Sequence, residues 1–556
     1  MRNIRYTLLV VIAIATNIHA YSQDVPQSLS STGIYEFIDE LASAQLISVN
    51  SAVKPYSRRF IALRLMEADS QRDRLNPRQQ KELDFYLVDF RKELNGWNRP
   101  QDRKTAGLQD STSRVSGKVQ WLKGEKGIRR WDMFYYSDSL FSITVNPIFG
   151  GEIFSNSSGR ATYWRNGVDA RAYAGRWGFY AALRDNHENP LLGLPGYMTQ
   201  RVNGHIKGET SWEEMTGGVS YGWKWGDIGL VKDHLTWGNN YNGANIFGDR
   251  NPSFIQLRLH IKPVKWFEFN YVHGWLNSMV VDSSRSYWVS NSYGKDYREV
   301  YHKKFIAANI FTFTPFTNLN VSAGNSIVYT DLDLFPAYLV PVFFYKAVDH
   351  SVNSGIDNMN SQLFFDISSR QIRNLHLYAS LFIDELSVPR IFKKNEWNFL
   401  SYKAGFRLSN FPVENLFFTT EFTYTYPLTY RHYVPTLTFE SNNYNLGHYL
   451  QDNSREWYLS LEYRPIRAFL VNLSLTDAVK GPDYTALGAP RIGNPPLSSV
   501  EWHNTSISLR ASYQIINDLY LWIGFTNSNI TGNKSWSPDY YYGEKNTINA
   551  GMTFGF

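Results

Sequence analysis

Two hydrophobic periods divide the chain. Between Thr32 and about Asn95 apolar residues recur at helical spacing, and beyond residue 138 they alternate with polar ones. In the first region Thr32 is placed to cap a helix whose Ile34, Phe37, Ile38, Leu41 and Ala42 share one face. A second, less regular helix is expected over 57–68, through Phe60, Ile61, Leu63 and Leu65. A third has Asn76 as its N-cap and Pro77 in its first turn, with Leu83, Tyr86, Leu87, Phe90 and Leu94 on one side and Gly96 as its stop. Residues 98–138, polar and Pro/Gly-containing at their start, read as a linker and entry segment.

The period-two region predicts eighteen strands, at 139–154, 161–174, 177–184, 216–225, 227–237, 253–262, 264–276, 303–314, 317–329, 361–369, 374–385, 399–409, 415–426, 455–464, 466–476, 503–516, 518–526 and 545–556. Short connections fall at Gly175-Arg176, Gly226, Pro263, Pro315-Phe316, Ile372-Arg373, Phe411-Pro412, Pro465 and Asn517. They alternate with long stretches, read as polar, at about 185–215, 238–252, 277–302, 330–360, 386–398, 427–454, 477–502 and 527–544. Short periplasmic turns alternating with long extracellular loops are the asymmetry of an outer-membrane barrel, and a sandwich or propeller does not explain that rhythm. The expected fold is an all-β transmembrane barrel of about 18 antiparallel strands over 139–556, preceded by a small α-helical periplasmic domain over 21–97.

The faces agree with this. Ile255, Leu257, Leu259 and Ile261 alternate with Gln256, Arg258, His260 and Lys262, and Leu400, Tyr402, Ala404 and Phe406 oppose Ser401, Lys403 and Arg407. The apolar set is assigned to lipid, because a charge at mid-bilayer costs roughly 2–4 kcal/mol. The lumen is then lined by Arg165, Asp169, Arg171, Arg258, His260, Glu268, Arg407, Glu421 and Glu462. Mixed charges of this kind do not make a uniform selectivity ring; they fit cross-lumen ion pairs or a lumen filled by folded loops. In the last strand Ile548, Ala550, Met552, Phe554 and Phe556 form one apolar face that ends the chain. Phe554 and Phe556 therefore resemble the C-terminal signal read by the outer-membrane insertion machinery.

Composition and the first residues set the compartment. Arg2 and Arg5, the apolar run Leu8 to Ala15 and the site Ile18-His19-Ala20 read as a signal peptide over 1–20. The chain has no Cys, which removes disulfides, thiolate metal sites and lipidation after the signal. Aromatic residues make up 16% of the chain, with 37 Tyr and 17 Trp, while mean hydropathy is −0.37. Aromatic richness without long apolar runs suits strands that alternate between lipid and lumen, with Tyr and Trp at the interfaces. The net charge of +6 is assigned to acidic glycan or lipid phosphate, and not to nucleic acid, because the chain is exported.

Two stretches carry a family resemblance. Ile34-Tyr35-Glu36-Phe37-Ile38-Asp39-Glu40-Leu41, followed by Lys54-Pro55-Tyr56-Ser57-Arg58-Arg59, resembles the opening of the capsule-assembly Wzi-like family. So does Leu235-Thr236-Trp237-Gly238-Asn239-Asn240, leading through Asn251-Pro252-Ser253-Phe254 to Arg258-Leu259. The resemblance implies a periplasmic helical bundle before an eighteen-stranded barrel, and a lectin-like role in holding capsular or exopolysaccharide at the cell surface. It identifies no ligand contact.

Candidates for glycan contact come from the long connections: Trp212, Tyr241, Arg250, Trp288, Trp397, Trp502, Trp536 and Tyr541. Flat rings stack on the apolar faces of sugars, although rings in a barrel more often pack loops together or sit in the girdle. Asp249-Arg250-Asn251-Pro252 is a structural turn, and the segment Asp477 to Pro496 is expected to fold inward. No metalloprotease helix motif, phosphate loop or nucleophile elbow occurs, so no enzyme, metal or cofactor is expected. The expected partners are capsular or exopolysaccharide, outer-membrane lipid and lipopolysaccharide, and the insertion machinery. The competing reading is a channel or substrate-specific transporter gated by the helical domain.

Overall fold

The computed structural model describes residues 24–95, 120–123, 129–138, 141–192, 205–207, 211–292, 294–352, 358–488 and 490–556. The expected signal peptide over 1–20 and the linker stretch 98–119 lie outside the described residues. Eighteen strands close into one antiparallel barrel. They are β1 Phe141–Asn156, β2 Gly159–Ala174, β3 Trp177–Glu188, β4 Ser211–Trp223, β5 Gly226–Asp233 and β6 Phe254–Val264. Next come β7 Phe267–Val281, β8 Tyr301–Phe316, β9 Leu319–Thr330, β10 Met359–Ser369, β11 Leu375–Glu385 and β12 Phe399–Ser409. The last six are β13 Leu416–Thr425, β14 Ser454–Ile466, β15 Phe469–Lys480, β16 Trp502–Ile516, β17 Leu519–Gly532 and β18 Gly543–Phe554. The sheet closes where β18 meets β1, with Phe554 opposite Phe149 and Ile548 opposite Ser155. Sequential hairpin pairing removes every free edge, which is how an antiparallel sheet survives without water on its outside.

The expected alternation holds along most of the wall. Trp164, Phe179, Leu230, Ile255, Ile523 and Ile548 are exposed on the outward face. At the last strand Phe554 stacks on Phe149 at 5.3 Å, and the Phe556 ring lies 5.5 Å from Tyr520. The short turns gather at one end of the barrel and the long connections at the other, apart from the tight Ser157-Ser158 turn between β1 and β2 at the long-loop end. Positive-φ residues make six of the eight short turns: Gly175, Asn318, Asn374, Asn415, Ala468 and Asp518. Gly and Asn reach that region at little cost, and four of these turns reverse the polypeptide within two residues.

Ahead of the barrel, α1 Thr32–Ser43, α2 Arg58–Asp69 and α3 Pro77–Phe90 pack around Phe37, Leu41, Ile61, Leu65, Leu83 and Tyr86. Asn76 and Gln79 form a reciprocal capping box at α3, with Pro77 in the first turn as expected. At α1 the expected cap is displaced by one residue. Thr32 is the first helical residue and Ser31 the cap, and the Ser31 hydroxyl accepts from Gln27 Nε2 at 2.7 Å in place of capping a helix N–H. Within the entry segment the described stretches Gln120–Lys123, Arg129–Asp132 and Phe134–Ser137 are short strands.

The helical domain sits in the short-turn mouth. Asn374 N–H donates to Ser43 O at 2.7 Å, and Asn76 Nδ2 and Arg78 Nε donate to Asn415 Oδ1 at 3.0 and 2.7 Å. Arg464 of β14 pairs with Glu36, and Arg130 pairs with Asp518 at 2.9 Å. Arg58 is buried between Asp89 at 3.0 Å and Glu93, so the domain is closed by ion pairs inside as well as at its rim.

Candidate functional site: the plugged lumen and the long-loop mouth

The two stretches that carry the family resemblance meet inside the barrel. Between α1 and α2 the chain rises into the lumen, where Val53 and Lys54 pair with Trp237 and Thr236 of the β5–β6 connection. That connection, 234–253, folds inward; Trp237 and Phe247 pair with each other and stack edge-on at 5.1 Å. Their rings fill a buried cluster with Ile306, Ile310, Phe364 and Phe382 of the wall. Part of the lumen is thus apolar, because β8 to β11 turn hydrophobic side chains inward to meet the plug. The β13–β14 connection joins 234–253 in that cluster through Tyr430, Phe439 and Leu446, and Arg491 of the 477–496 stretch pairs with the buried Asp384 of β11.

Asparagine anchors the plug because one amide side chain both donates and accepts. Asn239 donates from its backbone to Asp366 at 2.9 Å, and from Nδ2 to the other oxygen at 2.5 Å. The backbone N–H groups of Tyr241 and Asn242 take the two carboxylate oxygens of Glu421 at 2.7 and 2.8 Å. Asn245 donates to Ser401 O and accepts from Ser380 Oγ. Tyr241 ties plug, wall and helical domain together: its hydroxyl donates to Asp39 at 2.7 Å and lies 2.8 Å from His376 Nδ1. Arg370, at the β10–β11 turn, pairs with Asp39 and donates to Ser51 Oγ at 2.9 Å. Burial alone would raise the Asp39 carboxyl, but Arg370, His376 and Arg407 hold it well below the usual carboxylate range.

The other inward polar residues divide between wall and domain. Arg407 pairs with Glu462 at 3.0 Å and stands over the Tyr241 ring at 4.9 Å. Arg171 pairs with Asp169 at 3.1 Å, and Arg165 donates to Thr553 Oγ1 and Gly555 O beside the chain end. His260 lies between Asp227 at 3.0 Å and Glu268 at 3.5 Å. Asp24, Asp227 and His260 bring potential ligand atoms within 4.8 Å of one another, yet both ring nitrogens of His260 already face carboxylates. Among the described residues, clefts border the seam between the helical domain and the wall. One is bordered by Gln27, Asp169, Arg184 and Phe556, the other by Lys54, Tyr56, Arg258 and Glu268.

At the long-loop end the aromatic candidates separate by environment. Trp212 is buried and stacks on Tyr163 at 6.1 Å, and Trp502 is buried with Nε1 donating to Ser537 Oγ at 2.7 Å. Tyr541 meets Tyr540 edge-on at 5.0 Å, and Trp397 lies 6.2 Å from Tyr426. Arg250 stacks over Tyr449 at 3.7 Å and donates to Asn242 Oδ1 at 3.0 Å, which holds the base of the plug loop. Trp288 is 67% exposed on a hairpin of Tyr287–Asn291 with Gly294–Arg298, its ring 5.1 Å from Tyr297. Of the eight, Trp536 lines a groove.

That shallow groove is bordered by Trp536, Arg431, Asp452, Lys480, Asp483 and Tyr484. Lys480 Nζ lies 4.1 Å from the Trp536 ring, and Arg431 pairs with Asp483 at 3.5 Å. Burial pushes the Asp452 carboxyl up to about 6, although the Tyr430 N–H donates to it at 2.7 Å. Lys480 is buried, with Nζ donating to Leu450 O and Asp452 O, so the cation left beside the ring is Arg431, which can pair an acidic substituent while the ring stacks on a sugar face. Sequence reasoning passed over Arg431, Lys480 and Tyr484. The signal within reach was Lys480-Gly481-Pro482-Asp483-Tyr484, a strand end turning directly into charge and ring.

No family model matches the chain, and no curated protein matches it by sequence. The fold and its plugged lumen define an outer-membrane β-barrel. Among solved structures it is similar to Wzi of Escherichia coli, described as an outer-membrane protein involved in group 1 capsule assembly and a carbohydrate-binding β-barrel. The two superpose with a TM-score of 0.58 at 12% identity, over 96% of this chain and 100% of that one. The barrel expected from the family resemblance is therefore the fold observed. Matches to OccD3 of Pseudomonas aeruginosa and OccAB2 of Acinetobacter baumannii have TM-scores of 0.42 and 0.41, at 10% and 11% identity. They cover 80% and 74% of this chain and 94% and 98% of theirs.

Proposed function

We propose that this chain is a divergent Wzi-like protein: a closed outer-membrane barrel that binds surface polysaccharide at its long-loop mouth and holds capsule or exopolysaccharide at the cell surface. The helical domain is periplasmic in this reading and the long loops extracellular. The observation that carries it is the plug. A barrel whose two resemblance-bearing stretches pair inside its own lumen is built to stay shut, and a gated transporter would have to break the buried contacts of Tyr241, Asn239 and Arg370 at each opening. The groove around Trp536 and Arg431 supplies a ring and a charge for an acidic glycan. The protein is non-enzymatic in this reading, since Asp366, Glu421 and Asp39, carboxylates that face the plug, are engaged in holding it.

The test is deletion in the native host, with cell-attached and released polysaccharide measured separately. The released share should rise at the expense of the attached share, and an unchanged ratio would sink the reading. In purified protein, Trp536→Ala should weaken binding of the host polysaccharide about ten-fold, or roughly 1.4 kcal/mol, without unfolding the barrel. Unaltered binding would move the glycan away from this groove.

A further inference from the structure

The β9–β10 connection contains an uncharged apolar run, Leu334-Phe335-Pro336-Ala337-Tyr338-Leu339-Val340-Pro341-Val342-Phe343-Phe344-Tyr345, inside a stretch that the chain pattern assigns to polar loop. It does not project from the long-loop end. It folds down over the outside of the wall. The outward register of β6 to β10 is marked by the exposed Ile255, Trp275, Phe313, Val321 and Phe365. In that same register lie Tyr271, His273, Asn309, Asn325 and Tyr329, all shielded from water. Tyr338 and Tyr345 pack on this patch, against Phe269, Phe305, Ile327 and Tyr329.

The outward asparagines explain why the segment is there. Asn309 and Asn325 face each other across β8 and β9, joined at 2.7 Å. Asn309 lies seven residues from the short-turn end of its strand, about 16 Å along the barrel axis at the usual rise and tilt. The apolar band of such a barrel is about 25 Å tall, so a bare amide pair at that depth would face hydrocarbon. Asn309 Nδ2 donates to Pro341 O and Phe343 O at 2.8 and 2.9 Å, and Asn325 Oδ1 accepts from Tyr345 N–H at 2.9 Å. Wall and segment thus satisfy each other.

Part of the segment's backbone is satisfied without water. Pro336 and Pro341 have no N–H, Tyr338 O accepts from Tyr271 OH at 2.8 Å, and Val340 and Phe343 N–H close local turns. Its outer side presents Leu334, Val342, Phe343 and Phe344, with Val342 60% exposed. These side chains continue the lipid-facing surface of the neighbouring strands without a charge between them.

We propose that residues 334–345 form a membrane-embedded flap, held against the outer wall by the Asn309–Asn325 pair and facing the acyl chains of the outer membrane. This goes beyond polysaccharide holding and does not depend on it. A chain without Cys allows unique labelling. Val342→Cys, Phe365→Cys and Leu487→Cys would each carry a nitroxide, in phosphatidylcholine–phosphatidylglycerol vesicles, with folding checked by heat-modifiable gel mobility. Phe365 is an outward wall residue, and Leu487 is 69% exposed in the β15–β16 connection. The label at 342 should match that at 365, with a ratio of oxygen to nickel-chelate collisions several-fold above that at 487. A ratio matching 487 would put the segment in water and overturn the proposal. Low collision with both reagents, accompanied by spin–spin broadening, would assign the surface to a second copy of the barrel and overturn it equally.

Discussion

Arg370→Ala is expected to loosen the helical domain from the barrel by about 3–5 kcal/mol, the usual cost of removing one partner from a buried ion pair. Arg370 is buried at the β10–β11 turn and holds Asp39 of α1, Ser51 Oγ of the rising segment and the ring of His376. Without it, Asp39 retains the Tyr241 hydroxyl and loses the guanidinium that keeps its carboxylate charged in a buried site. The barrel strands do not depend on this contact. The measurement is limited proteolysis of the folded protein, scored for cleavage within 24–95 against loss of barrel mobility on gels. Faster cleavage of the domain with an intact barrel is expected; equal protease resistance would mean that docking is set elsewhere along the rim.

Trp237→Ala should cost about as much again, roughly 3–5 kcal/mol, because a large ring would leave a void in a packed cluster. Trp237 is 0% exposed and touches Phe247 and Phe364 while its backbone pairs with Val53. The loss should concentrate in the plug. Amide exchange over 236–250 is expected to accelerate by orders of magnitude, with the amides of β14 to β17 unaffected. Unaltered protection at 236–250 would show that the asparagine contacts to Asp366 and Glu421 hold the loop by themselves.

The barrel was legible in the sequence wherever one face meets lipid and the other meets polar contacts. Strands such as 253–262 alternate cleanly, and Pro- or Asn-bearing turns mark their ends. The outer-wall patch was harder for a physical reason. In Phe305-Ile306-Ala307-Ala308-Asn309-Ile310-Phe311 both faces are covered, one by the plug and the other by the 334–345 flap, so alternation gives way to a nearly continuous apolar run. That run, and the twelve uncharged residues of the flap, were visible as composition but not as partners. The plug itself was marked by resemblance, through Trp237-Gly238-Asn239-Asn240, although no local pattern says that a polar loop turns inward. The aromatic candidates show the same limit: Trp502 and Trp212 look identical to Trp536 in sequence, and only packing separates a loop clamp from a groove wall.

The holding function requires a shut lumen, even though clefts border the seam between helical domain and wall. Single-channel recording of the intact protein in planar lipid bilayers tests it most directly. The plug anchored by Asn239, Tyr241 and Asn245 predicts no steady conductance above that of the bare bilayer, whereas a large, long-lived open level from the folded chain would contradict a closed holding protein and favour a transport barrel.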